Sequence, residues 1–392
     1  RIQTNTNSSF PSQVVSEAEK SSLDYGIQVG RAIEGEWFQE GRAGNRYVQS
    51  YATFHRLRLY ARGEQSVQKY KDELSINGDL SYLNLDWKPV AVISKFVDIV
   101  VNGMANKSYD ITTFAQDPFS VKSRTDYATA IEQDMNTKPM LENIKQELGM
   151  DMARTGNLED LPESKEELDV HMQMTYKQNV EIAEEEVINN VLSFNKYDQT
   201  KARIAYDLTV LGIGASKTRF DKSEGIKIDY VDPARIVYSY TEDPNFEDIY
   251  YIGEVKAISI PELKKQFPDI SDEELQRIQN MPGNSQYVTG WANYDQNTVQ
   301  VMYFEYKTYV DQVWKIKKTD QGLEKTLEKA DTFNPPENDN FDRVSRSIEV
   351  LYTGAKVLGN NYMLEWKMAE NMTRPTADTT KVEMNYCISA PR

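Results

Sequence analysis

Two glycines, a serine, a lysine and a threonine lie together in residues 212–218, and residues of these types could bind a phosphate group. A phosphate loop places its second glycine directly before the lysine, and a helix follows that points its N-terminus at the phosphate. Here Ser216 precedes Lys217, and residues 216–220 favour a β-strand. The segment is therefore predicted to be a structural corner and not a nucleotide-binding loop.

Carboxylates could hold a metal ion, and four of them lie close together in one predicted helix: Glu181, Glu184, Glu185 and Glu186. Neither histidines nor a second matching helix accompany them, so a solvated helix face is predicted. The chain has two histidines, His55 and His171, and one cysteine, Cys387, which argues against histidine-rich metal sites, most catalytic triads and cysteine zinc sites. No catalytic residue, cofactor-binding residue or metal ligand is predicted, and no cofactor is expected.

The 392-residue chain is acidic, with a formal net charge of −16. A domain that wraps around nucleic acid normally has a basic face, so this charge argues against such binding. An acidic wall would instead repel phosphates over roughly 10 Å at 0.1 M salt and leave a passing DNA mobile. The 24 tyrosines suit subunit interfaces as well as a tyrosine-rich β surface, and composition leaves both interpretations open.

The most apolar run, residues 89–104, is too short to span a bilayer and contains Lys95 and Asp98, so no membrane association is predicted. Pro89 suits the first turn of a helix. The a/d spacing after it predicts a helix with an apolar seam made of Val90, Ile93, Val97, Val100 and Met104. Residues 108–114 follow as a predicted strand.

The elements around the glycine corner are predicted in a definite order over residues 196–240. A helix comes first, with one face made of Ala202, Ala205, Tyr206, Thr209 and Val210, and with Lys201, Arg203 and Asp207 off that face. Gly212 and Gly214 end the helix. A β-hairpin follows, and Asp232-Pro233 then leads into an extended aromatic run.

The N-terminal half is otherwise predicted to be helical. Residues 1–22 are polar and form an arm with little structure of its own. Residues 24–74 and 128–150 are helical, and Ser164 opens a long helix over residues 164–191 through a capping box. The first of these segments contains five basic residues in an otherwise acidic chain: Arg56, Arg58, Arg62, Lys69 and Lys71. They either contact a partner or DNA, or form a solvated helix face.

The C-terminal half is predicted to change from helix to strand. Residues 249–257 form a strand, Ser259 and Ser271 open short helices, and residues 280–296 are a loop-rich boundary. Further strands are predicted at residues 298–310, 313–317, 348–352, 356–358 and 362–368. Turns are predicted at Asp311-Gln312 and Thr353-Gly354, and no closing element is predicted near the end of the chain.

This order of elements, from the Pro89 helix through residues 196–240 to the β section, resembles the tailed-bacteriophage portal proteins, the head-to-tail connectors of phage capsids. It is most similar to the large portals of short-tailed and crAss-like phages, and it covers about residues 87–368. The resemblance implies an α+β fold with a wing of mixed helices and β-hairpin and with a β-rich, clip-like section. The implied segments are an N-terminal arm (1–22), a wing-like region (23–258), a helical, stem-like connection (259–297), a clip-like region (298–372) and a C-terminal segment (373–392).

Portals also have a stem helix and a crown, so the chain is expected to be incomplete at its C-terminus. The implied function is that of a structural subunit of a ring, expected to be dodecameric, at one capsid vertex of the virion, and not that of an enzyme. The ring would form the channel for packaging and ejection of double-stranded DNA. The implied partners are further copies of the chain, the major capsid protein, the terminase and tail adaptor proteins, with the host cytoplasm as the place of assembly. The clip-like strands would contact terminase or adaptor through Val301, Tyr303, Glu305, Tyr309, Trp314 and Tyr352.

Two other classes of protein stay open at this point. An acidic metal-dependent nuclease or another hydrolase would require a converging carboxylate pair, and no spacing in the sequence selects one. A different β-rich virion protein is the other alternative.

Overall fold

The computed structural model describes residues 9–38, 45–75, 86–88, 90–149, 152–153, 160–221, 224–280, 298–318, 324–335 and 341–390. The helices in these ranges are α1 (Glu17–Lys20), α2 (Leu23–Trp37), α3 (Arg46–Arg62), α4 (Gln68–Leu74), α5 (Val92–Ala105), α6 (Pro118–Asn136), α7 (Lys138–Leu148), α8 (Lys165–Met174), α9 (Asn179–Phe194), α10 (Tyr197–Leu211), α11 (Ile260–Gln266) and α12 (Asp272–Gln279). The strands are β1 (Gly214–Asp221), β2 (Gly225–Tyr230), β3 (Ile236–Tyr238), β4 (Tyr251–Ser259), β5 (Thr298–Lys318), β6 (Glu324–Lys329), β7 (Phe341–Val357), β8 (Met363–Met368) and β9 (Tyr386–Ser389).

Helices and antiparallel sheets together confirm the predicted α+β fold class. The chain forms two compact units, one of Lys107–Tyr197 and one of Arg1–Asn106 with Asp198–Arg392. These bounds differ from those of the implied portal segments. In particular β4, at the end of the expected wing-like region, pairs with β5 of the expected clip-like region in a single sheet.

The smaller unit is helical and contains α6 to α9. Its core is formed by Ile131, Leu161 and Leu168, with Tyr127 and Met172 packed against them. α6 begins ten residues before the predicted start because the Asp117 side chain accepts a hydrogen bond from the Ser120 amide and caps the helix. The predicted break near residues 138–139 is confirmed, since α7 begins there.

Two other predictions for this unit are wrong. The long helix predicted over residues 164–191 is interrupted between α8 and α9, because Gln178 and Glu181 form a capping box that starts α9. Residues 108–114 form no strand. The backbone amide of Thr113 instead donates to a carboxylate of α9.

The larger unit is built on a six-stranded antiparallel sheet with the order β3-β4-β5-β7-β8, and β6 pairs with β5 outside this path. Successive side chains of β5 point to opposite faces of the sheet. One face packs Met302 and Phe304 against α2. The other face packs Val299 and Val301 against α11 and α12, whose predicted serine N-caps are confirmed.

Both turns predicted in the β section are wrong, since β5 and β7 continue through them. Asp311 and Gln312 pair with residues of β7, and Thr353 and Gly354 pair with residues of β5. Gly354 has no turn role, because a Cβ atom there would lie 2.5 Å from the ring of Phe304. The glycine allows a close approach of that ring to the neighbouring strand.

The last described residues close a second, three-stranded sheet with the order β2-β1-β9. β9 pairs antiparallel with β1 from Gly214↔Ser389 to Lys217↔Tyr386. Tyr386 and Ile388 are buried on one face of this short strand. The chain therefore has a closing element that was not predicted, because a strand of four residues shows little periodicity.

The N-terminal segment also has more structure than its polar composition predicts. The Phe10 ring stacks on Tyr306, with 6.0 Å between ring centroids, and lies 5.5 Å from the ring of Tyr251. Lys20 is 1% exposed, and its ammonium donates to the Tyr309 carbonyl at 2.6 Å. Residues 9–22 are thus packed on the large sheet, and residues 1–8 lie outside the described ranges.

Candidate assembly interface

The glycine corner has the geometry of a helix end and not of a phosphate loop, as predicted. Gly212 follows α10 with φ +75°, a left-handed conformation that favours glycine. A Cβ atom on Gly214 would lie 2.9 Å from side-chain atoms of both Ile204 and Leu208 of α10. The second glycine therefore lets β1 pass close to the helix.

Lys217, which could have been the phosphate ligand, is half-buried and bound by a residue of the chain itself. Its ammonium donates to the Tyr386 hydroxyl at 2.9 Å and lies 4.3 Å from that ring. Burial lowers the pKa of Lys217, and the nearby charges of Glu305 and Glu254 partly oppose this shift. The lysine links β1 to β9 and does not point to an open phosphate site.

The two carboxylates near Lys217 are also held by the chain itself. Glu305 is 2% exposed, and its oxygens accept hydrogen bonds from the backbone amide and the side-chain amide of Asn385, both at 3.0 Å. Burial raises the pKa of Glu305, against the opposing effects of Lys217 and Asn385. Glu254 forms an ion pair with Lys256 at 2.8 Å. Glu305 thus attaches the segment before β9 to the large sheet and is not arranged as a hydrolytic acid.

A second buried polar cluster joins α3, α10 and β2. Arg58 donates to Asp207 at 2.9 Å and to Asp232 at 2.8 Å, and the Tyr230 hydroxyl donates to the other oxygen of Asp207. Burial lowers the pKa of Arg58, but the hydrogen bonds and charges of the two aspartates outweigh it and raise the pKa. Asp207 is 2% exposed, so its predicted place off the buried helix face is wrong, and Arg58 is bound within the chain.

The glutamates of α9 do not form a metal site. Glu181 is 1% exposed, which corrects its predicted place on a solvated face. It accepts hydrogen bonds from the Ala115 amide at 3.0 Å, from the Gln178 amide at 2.9 Å and from Arg124 at 2.5 Å. Burial would raise the pKa of Glu181, but these donors lower it below its usual range. Across the described residues, no group of three histidine, cysteine or acidic side chains could hold a metal ion.

The six residues predicted to contact terminase or adaptor fall into two groups. Val301, Glu305 and Tyr352 are buried within the chain. Tyr303, Tyr309 and Trp314 are only partly buried. A partner could reach the second group directly, and the predicted contact stays a prediction.

Sequence reasoning missed a continuous exposed apolar surface of the larger unit, which lies on α5. The predicted seam is buried only at Val97. The residues here called the α5 apolar face are 37–68% exposed: Val92, Ile93, Phe96, Ile99, Val100 and Met104. At 100° per residue they cover an arc of about 140° that contains no polar side chain. Lys95, Asp98 and Asn102 lie together on a separate flank.

Both ends of α5 contact other parts of the larger unit. α3 ends at Gly63, φ +76°, where a Cβ atom would lie 2.7 Å from that of Ala91 at the start of α5. At the other end of α5, the Thr209 hydroxyl lies 3.9 Å from the Met104 sulfur. The apolar face is therefore presented on an anchored helix. The sequence signal for it was present, since the run has more apolar positions than one buried seam can use.

The buried carboxylates of this α+β chain are bound by donors of the chain itself, and one helix exposes a continuous apolar face. These are features of an assembly subunit. Residues 181–363, just under half of the chain, match the family model described as phage P22-like portal protein. The match extends from α9 to the start of β8 and supports a phage portal protein, a structural component of the virion at the capsid vertex. Portal proteins are structural and not enzymatic, and they assemble as oligomers with the capsid.

No curated protein matches the chain. Among the helices of the described ranges, none combines the length and the apolar content that crossing a membrane requires.

Proposed function

We propose that the chain is the repeating subunit of a ring-shaped phage portal that forms the channel for genome packaging and ejection. The observation that carries this proposal is the family match over residues 181–363. The matched residues include the hairpin β1–β2 and most of the large sheet, and most of them belong to the larger unit.

The charge of the chain supports a channel through which DNA moves. Each copy has a net charge of −16, and a ring multiplies this charge around one axis. Because phosphates are repelled by an acidic surface within about a Debye length, roughly 10 Å at 0.1 M salt, double-stranded DNA would pass without sequence-specific binding. Arg58, which could have contacted DNA, is bound to two aspartates instead.

The partners follow from the same proposal. Twelve copies would form the ring at one vertex, in contact with the major capsid protein, and it would assemble in the host cytoplasm. The terminase and then the tail adaptor would dock on the clip-like region, where Tyr303, Tyr309 and Trp314 are accessible. We further propose that the subtype is that of short-tailed or crAss-like phages, on the order of elements around residues 196–240.

Imaging of the assembled chain tests the proposal. The full chain is purified alone and with the major capsid protein and is examined by negative-stain microscopy and native mass spectrometry. Closed rings of one stoichiometry, and heads with one ring at a single vertex, are expected. A chain that is monomeric at all concentrations and is never found at a capsid vertex would contradict the proposal.

The channel property has its own measurement. Double-stranded DNA should show no binding to the rings at 0.1 M salt in a filter-binding assay. Tight binding with a steep salt dependence would mean that a basic surface contacts the phosphates, which the proposal does not allow.

A further inference from the structure

The α5 apolar face is large enough to form a substantial part of a protein interface. From the exposed fractions of its six side chains, its area is on the order of 500–600 Å². The largest apolar patch of a typical monomer measures about 300–600 Å² and is often functional. A standard interface buries about 800 Å² on each partner. The face thus supplies more than half of one side of such an interface.

The shape and composition of the face favour burial against another protein surface. Phe96 lies near the centre of the arc, and Ile99 lies midway along the helix at one edge of the arc; they are 65% and 68% exposed. The few side chains that provide most of the affinity of an interface cluster near its centre. Gly103 falls inside the same arc, and a Cβ atom there would meet nothing within 4 Å, so the centre of the face also has room for a side chain of a partner.

We infer that the α5 apolar face packs against a second copy of this chain. This inference rests on the proposed function, since a ring repeats one contact between copies. Two copies that each have a net charge of −16 repel one another, and an apolar contact brings them together without burying further carboxylates. In a cyclic ring the contact is heterologous, so the surface that covers α5 is a different surface of the neighbouring copy.

A pair of charge substitutions on the same helix tests the inference. Ile99→Glu adds one negative charge on the face, midway along the helix, and Asn102→Glu adds the same charge on the polar flank of α5. Because both side chains are exposed, both variants should keep the circular dichroism spectrum of the wild type. We expect Ile99→Glu to weaken assembly by about 100-fold or more in sedimentation velocity, and Asn102→Glu to weaken it less than about threefold.

A photo-cross-linking amino acid at position 96 identifies the occupant directly. Adducts of two copies of the chain, formed by the purified full-length protein, would support the inference. Cross-links only within one chain, or only to the capsid protein in assembled heads, would overturn it. This experiment does not depend on the stability of the glutamate variants.

The results also separate this inference from the proposed function. If the wild type forms rings and Ile99→Glu forms them equally well, the α5 contact is refuted and the ring function stands. If the wild type forms no rings under any condition, the ring function itself fails, and with it the basis of the contact.

Discussion

Replacement of Asp207 by alanine tests whether the buried polar cluster joins α10 to the rest of the larger unit. The Asp207 side chain is 3% exposed and accepts hydrogen bonds from Arg58, at 2.9 Å, and from the Tyr230 hydroxyl. Alanine would leave the phenol without this acceptor and would leave Asp232 as the remaining carboxylate bound to the guanidinium. Both effects destabilise the native state, because buried polar groups lose partners that water provides in the unfolded state.

The expected size follows from the contacts that are lost. Hydrogen bonds to charged groups contribute about 1.5–3 kcal/mol each, and Asp207 makes two. Burial of the carboxylate, which raises the pKa of Asp207, offsets part of this gain. We therefore expect Asp207→Ala to reduce the local free energy of unfolding by about 2–4 kcal/mol. Asp207→Asn should cost less, since its side-chain carbonyl can still accept from Tyr230.

Hydrogen exchange of the α10 amides is the suitable assay, because a chain with two compact units need not unfold in one step. A loss of 2–4 kcal/mol corresponds to about 30- to 700-fold faster exchange. Asp229→Ala is the matched control, since its ion pair with Arg219 is similarly short, at 2.7 Å, but its side chain is 44% exposed. The control should change stability by less than about 1 kcal/mol. Equal effects of Asp207→Ala and Asp229→Ala would refute the reasoning.

Three further predictions concern other buried contacts. Burial raises the pKa of Glu305, so its carboxyl stabilises the fold below its ordinary pKa of 4.5 and loses this contribution as pH rises through the folded-state value. In parallel urea titrations the stability of wild type minus Glu305→Gln should therefore fall as the pH is raised above 4.5, and a flat difference would count against it. Gly253→Ala places a Cβ atom 2.6 Å from a backbone carbonyl of β5 and should lower the free energy of unfolding by about 1–3 kcal/mol. Gly103→Ala, in open space on α5, should be neutral or stabilising by up to about 1 kcal/mol. Similar unfolding midpoints for the two variants would be inconsistent with the packing. Glu181→Ala removes three hydrogen bonds and should destabilise the helical unit by about 2–4 kcal/mol, against less than about 0.5 kcal/mol for the exposed Glu184→Ala, both measured by hydrogen exchange in α9.

Local signals in the sequence were sufficient for many of the elements. The serine caps at Ser259 and Ser271 predicted α11 and α12, because a side-chain oxygen there satisfies amides that the first helical turn leaves open. Gly212 marked the end of α10 for an equally local reason, the left-handed backbone. These features depend on residues within one turn of each other, which the sequence contains directly.

The errors come from contacts between distant residues. Gly354 was interpreted as a turn, although its role is to make room for the ring of Phe304, 50 positions earlier in the chain. Asp207 and Glu181 were placed on solvated faces because charged residues usually lie there. Each is buried through an arginine and further donors from other elements, at Arg58 and at Arg124. Without those tertiary partners the sequence offers no signal for burial.

The same contrast explains where function can lie in this chain. Carboxylates that could do acid–base chemistry, such as Asp207, Glu181 and Glu305, already bind arginines, backbone amides or side-chain amides of their own chain. A general acid or base needs a proton-transfer partner in a substrate, and these groups are committed to the fold. The α5 apolar face differs from these carboxylates, because its side chains stay largely exposed among the described residues. The structure therefore directs the search for function toward surfaces such as the α5 apolar face, and the family match over residues 181–363 supports a structural protein of a phage portal.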